Sequence, residues 1–338
     1  MKKFFIIITI ILAVALVLSL GFMFVIRNRD AAPASDNASL QAGAKKVLAT
    51  EVISAVPSFN GERIWYFTLE GKMLSINPES ETREEFILPE AINNPTGVLW
   101  QEKGSDFIAT QNIGGHIRFS YVKASDKQIS AYPENIRTPV ILVGDTRIAY
   151  DWVTKTATST SHELKISDIN GSNFTKIGDL FRADYMLAAS PRKQEIIMFT
   201  AATSSPLVLV DLGASVFSNI ADNGVFESVR FSPDGSKLLV NENKLGAQVF
   251  WVYDFVTKEK KDLGLASPDF AIWSRDSRGV IFETEDTLKE IDLQTETLKD
   301  WGSFTGDLIR DAFLHPFKDI LFYIDGPGNL YSLNLATQ

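Results

Sequence analysis

Phe231-Ser232-Pro233-Asp234-Gly235-Ser236-Lys237-Leu238-Leu239-Val240 is the stretch that decides the fold. It reads as the end of one strand, a tight reversal and the start of a second strand. Pro233 presets φ, Asp234 can hydrogen-bond its own backbone, and Gly235 tolerates the left-handed conformation that such a reversal needs. The next copy is Trp273-Ser274-Arg275-Asp276-Ser277-Arg278-Gly279-Val280-Ile281-Phe282. Looser copies occur at Phe59-Asn60-Gly61 before Ile64-Trp65-Tyr66-Phe67, at Trp100-Gln101-Glu102-Lys103-Gly104, at Gly144-Asp145-Thr146-Arg147, at Ser190-Pro191-Arg192-Lys193 and at His315-Pro316-Phe317-Lys318. With Ser58, Gln101, Gly144, Ser190, Ser232, Ser274 and His315 as anchors, the steps are 43, 43, 46, 42, 42 and 41 residues. An internal period of this length is the signature of a repeat architecture.

Each unit reads as four antiparallel strands, and a unit of about 40–45 residues has the dimension of one propeller blade. In unit five the strands are expected at Ser228–Phe231, Lys237–Asn241, Gln248–Phe255 and Lys260–Leu265. Unit seven has only three, the last at Asn329–Leu333, before the sequence stops at Gln338. Lys45-Lys46-Val47-Leu48-Ala49-Thr50 is similar to Lys260-Lys261-Asp262-Leu263-Gly264-Leu265. Adding that N-terminal strand to the last unit closes the ring and removes an open edge. The expected fold is therefore all-β: a β-propeller over residues 45–338 with seven four-stranded blades. The alternative is six, should units two and three not be separate blades.

Phe231-Ser232-Pro233-Asp234-Gly235 resembles the repeat motif of TolB-type, WD-repeat-like bacterial propellers, and of the propeller domains that precede some prolyl oligopeptidase-type peptidases. The resemblance spans Lys45 to Gln338, but only unit five keeps the motif intact. It implies the fold and says little about activity, because propellers host scaffolds, sensors and enzymes alike. The Gly-x-Ser-x-Gly elbow of a peptidase is missing, so the resemblance carries over as architecture without the hydrolase domain. The Ser-x-Asp-x-Gly-x-x-Trp turn of sialidases does not fit Ser232-Pro233-Asp234-Gly235 either. A YWTD-like rhythm at Ile320-Leu321-Phe322-Tyr323-Ile324-Asp325 is not sustained in other units.

Ahead of the repeat, Phe4 to Ile26 carries no charge. As a helix it would reach roughly 34 Å, enough for the hydrocarbon core of a bilayer. The expectation is a transmembrane signal-anchor at residues 4–26 after a cytoplasmic stub at 1–3, followed by a polar tether at 27–44. A cleaved signal peptide is the rival, with Ala32-Pro33-Ala34 as a small-residue cleavage site. The hydrophobic run exceeds the usual length of a signal h-region, and Arg27-Asn28-Arg29-Asp30 intervenes, so the uncleaved anchor is preferred. A short positive N-terminus followed by a long translocated domain places the propeller outside the cytoplasm.

From Ala31 onward there are 29 basic and 41 acidic residues, a net charge of −12. Such a surface disfavours nucleic acid, which needs clustered Lys and Arg. No cysteine is present, which excludes disulfides, thiolate metal sites and a lipidated Cys. The histidines, His116, His162 and His315, have no metal-ligand spacing and read as turn or strand-end residues. Asp145, Asp234, Asp276 and Asp319 suit tight turns, and no local run supplies the oxygens of an EF-hand-like loop. No catalytic residue, metal or cofactor is expected.

The binding face is expected where each unit's outer strand leads into the next unit's inner strand, around the channel mouth. Three of these segments mix charge with apolar side chains: Phe181-Arg182-Ala183-Asp184-Tyr185, Gly224-Val225-Phe226-Glu227 and Gly306-Asp307-Leu308-Ile309-Arg310-Asp311. Arg182, Asp184, Tyr185, Glu227, Arg230, Asp307, Arg310 and Asp311 are the expected binding residues. Their plainer role is to pair charges between neighbouring units. The functional expectation is a non-catalytic interaction or sensing module for a protein, peptide or glycan of the cell envelope. The alternative is a glycoside hydrolase or lyase with carboxylates dispersed over several blades.

Overall fold

The computed structural model describes residues 44–48, 50–87, 92, 95–101, 105–265, 270–284, 287–303 and 309–335. The chain divides into two units, Met1–Gln41 and Ala42–Gln338, and every described residue belongs to the second. The expected anchor at 4–26, and the tether up to residue 43, lie outside the described residues. Among the described residues there is no α-helix, and none long and apolar enough to cross a membrane.

The chain enters on β1 (Ala44–Leu48). Repeat unit one follows as β2 (Val52–Pro57), β3 (Ile64–Thr68), β4 (Met73–Ile76) and β5 (Arg83–Phe86). Unit two holds β6 (Pro95–Trp100), β7 (Phe107–Ile113), β8 (His116–Lys123) and β9 (Gln128–Ala131). Unit three holds β10 (Ile136–Ile141), β11 (Arg147–Lys155), β12 (Thr160–Asp168) and β13 (Thr175–Leu180). Units four and five run through β14 (Met186–Ala189), β15 (Glu195–Phe199), β16 (Ser205–Asp211), β17 (Val216–Phe231), β18 (Lys237–Lys244), β19 (Ala247–Asp254) and β20 (Lys260–Asp262). Unit six holds β21 (Ala271–Trp273), β22 (Gly279–Thr284), β23 (Thr287–Asp292) and β24 (Leu298–Ser303). Unit seven holds β25 (Ile309–Leu314), β26 (Ile320–Asp325) and β27 (Leu330–Asn334).

Pairing is antiparallel throughout and, apart from that of β1 with β27, joins sequence neighbours, giving five four-stranded sheets and one of seven strands among the described residues. The larger sheet exists because β17 is continuous: Val216–Gly224 pairs with β16 and Val225–Phe231 with β18. The sequence places only Ser228–Phe231 in the inner strand of unit five. The structure instead fuses it with the outer strand of unit four, without a turn between them. Units two and three, whose motifs are weakest, each carry four paired strands.

The repeat is written in one backbone hydrogen bond. In every unit the residue that opens the first turn donates its N–H to the carbonyl five residues on: Ser58 to Arg63, Gln101 to Asp106, Leu142 to Arg147, Ser190 to Glu195, Ser232 to Lys237, Ser274 to Gly279 and His315 to Ile320. In unit three this residue is Leu142, two positions before the Gly144 that the sequence suggests. The side chains explain the preference for Ser. The Ser232 hydroxyl donates to Asp234 Oδ1 at 2.6 Å and accepts from the Lys237 N–H at 2.9 Å. Ser274 repeats the pattern with Asp276 and Gly279. Gly235 sits at φ +71°, and Ser277 adopts φ +62° in its place in unit six.

Side chains of adjacent sheets interdigitate in hydrophobic clusters that follow one another around the domain. Phe67 and Met73 of unit one meet Phe107 and Val122 of unit two, and Tyr121 of unit two meets Ile148 and Tyr150 of unit three. Corresponding clusters join units three to four, four to five, five to six and six to seven. The last one joins seven to one, where Phe322, Ile324 and Leu330 pack on Val52, Ile64 and Tyr66. This cyclic stacking of four-stranded sheets is the β-propeller architecture that the repeat predicts.

β1 pairs antiparallel with β27 and completes unit seven, with Ala44 opposite Leu333 and Leu48 opposite Leu330. The strand begins at Ala44, one residue inside the expected tether. Leu48 is buried in the cluster between units seven and one. Removing residues 1–50 should therefore destabilise the domain, whereas removing 1–43 should leave it folded. Leu48→Ala should cost about 3 kcal/mol in urea unfolding, as for other large-to-small core changes. Equal melting temperatures for the two truncations would refute this closure.

Candidate functional site

Several of the residues expected at the channel mouth are already satisfied by neighbours. Arg182 Nε donates to Asp184 Oδ1 at 3.1 Å, its Nη1 donates to the Ser204 carbonyl at 2.9 Å, and the Thr203 hydroxyl donates to Asp184 Oδ2 at 2.6 Å. These bonds tie the loop entering unit four to the loop between β15 and β16. Glu227 accepts from Asn243 Nδ2 at 2.8 Å and Gln248 Nε2 at 3.0 Å, so it braces the β18–β19 hairpin. Tyr185 is buried in the cluster between units three and four, where it packs rather than faces a ligand. Asp307 lies outside the described residues.

Three of the eight converge on the inner strands. Arg310 Nη2 donates to the Val52 and Ile53 carbonyls of unit one, joining the units on either side of the closure. Arg230, from unit five, places Nη2 4.0 Å from Asp311 Oδ1 of unit seven, reaching past unit six. Burial raises the Asp311 carboxyl above its usual range, against the opposing influence of Arg230, the Ala312 N–H and Arg310. No other described group hydrogen-bonds the Arg230 guanidinium, although the Arg230 carbonyl accepts from Trp273 Nε1 at 2.9 Å.

Beside Arg230 opens a cavity of ≈ 420 Å³ where the inner strands of units four to seven run into their turns. Arg230, Trp273, Arg275 and Phe313 give it charge and aromatic surface, and Pro191, Pro233 and Pro316 also line it. Among the described residues that line it there is no Asp or Glu. Its size is that of a small-ligand pocket. Of the expected binding residues only Arg230 lines it. Trp273 and Arg275 belong to the repeat motif of unit six, so the sequence presents them as fold determinants and conceals their position at the channel.

Two of the three histidines, His162 and His315, have structural partners. His315 stands where other units have Ser, and its Nδ1 accepts from the Phe317 and Lys318 N–H groups, both at 3.0 Å. Nε2 must then carry the proton, which it donates to the Gly61 carbonyl at 2.9 Å. Burial, chiefly, lowers the pKa of His315 and keeps the ring neutral. A side chain at Gly61 would collide with that ring: a Cβ there would lie 2.5 Å from its Cε1. His162 Nδ1 lies 2.7 Å from Asp151 Oδ2 in unit three, with both side chains largely enclosed. Burial raises Asp151, and His162 opposes the rise. Among the described residues no group of three or more His, Asp or Glu could hold a metal ion.

Three similar solved structures have the same architecture. An oligogalacturonate lyase in complex with manganese aligns with TM-score 0.69 and 10% identity, over 88% of this chain and 94% of its own. The oligogalacturonate lyase of Vibrio parahaemolyticus aligns with TM-score 0.64 and 10% identity, over 86% of this chain and 93% of its own. The Cps50 β-propeller domain of Myceliophteria thermophila gives 0.61 and 11%, over 86% of this chain and 99% of its own. No family model and no curated protein matches the sequence. The likeness defines the fold as a β-propeller. At these identities it carries no activity, since two lyases and the Cps50 propeller domain share it.

Two measurements probe the polar groups. Desolvation would raise Asp234, but it is outweighed by hydrogen bonds from Ser232 and Ser236 and by the charge of Lys237, which hold the carboxyl at about 2. Its stabilising effect is present above the ordinary value of 3.8 and is lost as pH falls toward about 2. In acid titrations of stability, Asp234→Asn should lack this part of the decline; an unchanged curve would refute the turn's role. His162→Ala should cost about 2 kcal/mol, because it removes a hydrogen bond from a largely buried carboxyl. A loss no larger than that of the exposed His116→Ala would refute the pairing.

Proposed function

We propose that this chain is a seven-bladed propeller, membrane-anchored by residues 4–26 and extracytoplasmic, that acts as a non-catalytic binding module. Its partner is a protein, peptide or glycan of the cell envelope, and the TolB-type kinship rests on the intact Ser232-Pro233-Asp234-Gly235 turn. One observation carries the binding reading: the cavity at the turn end of the inner strands, with a poorly neutralised Arg230 at its side. A half-exposed guanidinium beside aromatic surface is interface composition. Its sign is opposite to the net charge of the domain, which makes the site electrostatically distinct from its surroundings.

The rival reading, a glycoside hydrolase or lyase, draws on the two lyases among the similar structures. It requires paired carboxylates in one pocket, about 5–10 Å apart. The described lining of this cavity is cationic and aromatic instead.

Cross-linking and pull-down from intact membranes should capture a specific partner with the wild-type chain. Arg230→Glu should reduce that capture at least tenfold with the melting temperature little changed. Protease added to intact cells should digest or release the β-domain. Undiminished capture by Arg230→Glu would remove this cavity from function, and full protection from protease would reverse the orientation.

A further inference from the structure

We propose that the turn-end cavity binds a carboxylate carried on an apolar body. The proposal rests on the binding reading above and names the ligand class for that site.

The charge pattern selects an anion. Beyond Ala31 the chain carries a net −12, yet the described lining of this cavity contains two guanidinium groups, a neutral imidazole and no acid. Both guanidiniums have donors to spare. Arg275 Nη2 makes a single bond of 3.0 Å to Asp319, and its side chain is 43% exposed. Arg230 is 46% exposed, and its carboxylate neighbour among the described residues, Asp311, stands 4.0 Å away. A guanidinium offers five N–H donors in a planar fork that matches a carboxylate.

The rest of the lining selects an apolar body. Phe231, Ile272, Trp273, Ala312, Phe313 and Leu314 supply the walls. Trp273 is buried in the cluster between units five and six and has committed its N–H to the Arg230 carbonyl, so it backs the wall and offers no donor. That hydrogen bond also ties the aromatic wall to the residue that bears the charge. A free sugar, with hydroxyls on every edge, would leave these surfaces poorly matched, whereas an aromatic or aliphatic acid satisfies both. The carboxylate could belong to a small organic acid or to the free C-terminus of a peptide that ends in an apolar residue.

The test uses the full chain in lipid nanodiscs and isothermal titration calorimetry, with empty nanodiscs as the blank. The probes are 3-phenylpropionate and its primary amide, and a hexapeptide ending in Phe with a free or an amidated terminus. At least one acid should bind about tenfold or more tighter than its amide, the factor expected of a charge-assisted hydrogen bond. Arg230→Gln and Arg275→Gln should each bring the acid down toward the amide. Lys193→Gln, a cation change outside the lining, should not. Tighter binding of the small acid identifies a metabolite-like ligand, and tighter binding of the free peptide identifies a chain end; either supports the proposal. Equal binding of acids and amides, no binding of any probe, or indifference to both Arg substitutions would overturn it. If partner capture still depends on Arg230 in that event, the binding module stands and only its ligand class is lost.

Discussion

The structure depends on a pairing between residues nearly three hundred positions apart. β1 supplies the outer strand of the unit that β25, β26 and β27 begin, and so the first described residues complete the last sheet. Without it β27 would expose a row of unpaired backbone groups, and the cluster between units seven and one would lose Leu48. Two further contacts secure the same junction: His315 to the Gly61 carbonyl, and Arg310 to the carbonyls of Val52 and Ile53. A linear stack of sheets has two unpaired ends; this pairing removes both.

Once closed, the ring is held in register by its turns. Gln101 donates to the Asp145 carbonyl at 2.6 Å, Arg192 to the Pro233 carbonyl at 3.1 Å, the Asp234 N–H to Ser277 Oγ at 3.1 Å, and Arg275 to Asp319 at 3.0 Å. Each bond links one unit's turn to the next. The side chains that define the repeat therefore do two things: they close their own reversal and they position the neighbouring unit. The cavity lies among these linked turns, so its walls belong to the more constrained part of the fold.

The same logic accounts for polar residues that resemble functional ones. His315 takes the role of a turn serine, with Nδ1 accepting backbone N–H groups as Ser190 Oγ does in unit four. Arg182, Asp184 and Glu227 have the composition of an interface and spend it on their own loops. A charged residue already satisfied by neighbours must break those bonds to take a ligand. Arg230 differs because its nearest carboxylate lies at the limit of an ion pair.

What the amino-acid sequence determined by itself is the local pattern: the strand–turn–strand repeat, and the N-terminal strand that pairs with the last one. These are legible because turn chemistry and the alternation of apolar residues act over a few neighbours, as Ser232, Asp234 and Gly235 show. Even there the signal fails where hydrogen bonding is backbone-only. Leu142 opens the turn of unit three with no side-chain signature, and β17 passes from one sheet to the next without a turn residue. Only the tertiary structure decided which charges meet. Arg230 and Asp311 are 81 positions apart and approach because closing the ring brings units five and seven to one channel. Tyr185 is buried and Trp273 lines a cavity for the same reason: the environment of an inner-strand residue is set by the sheets on either side of it, and no local sequence encodes those.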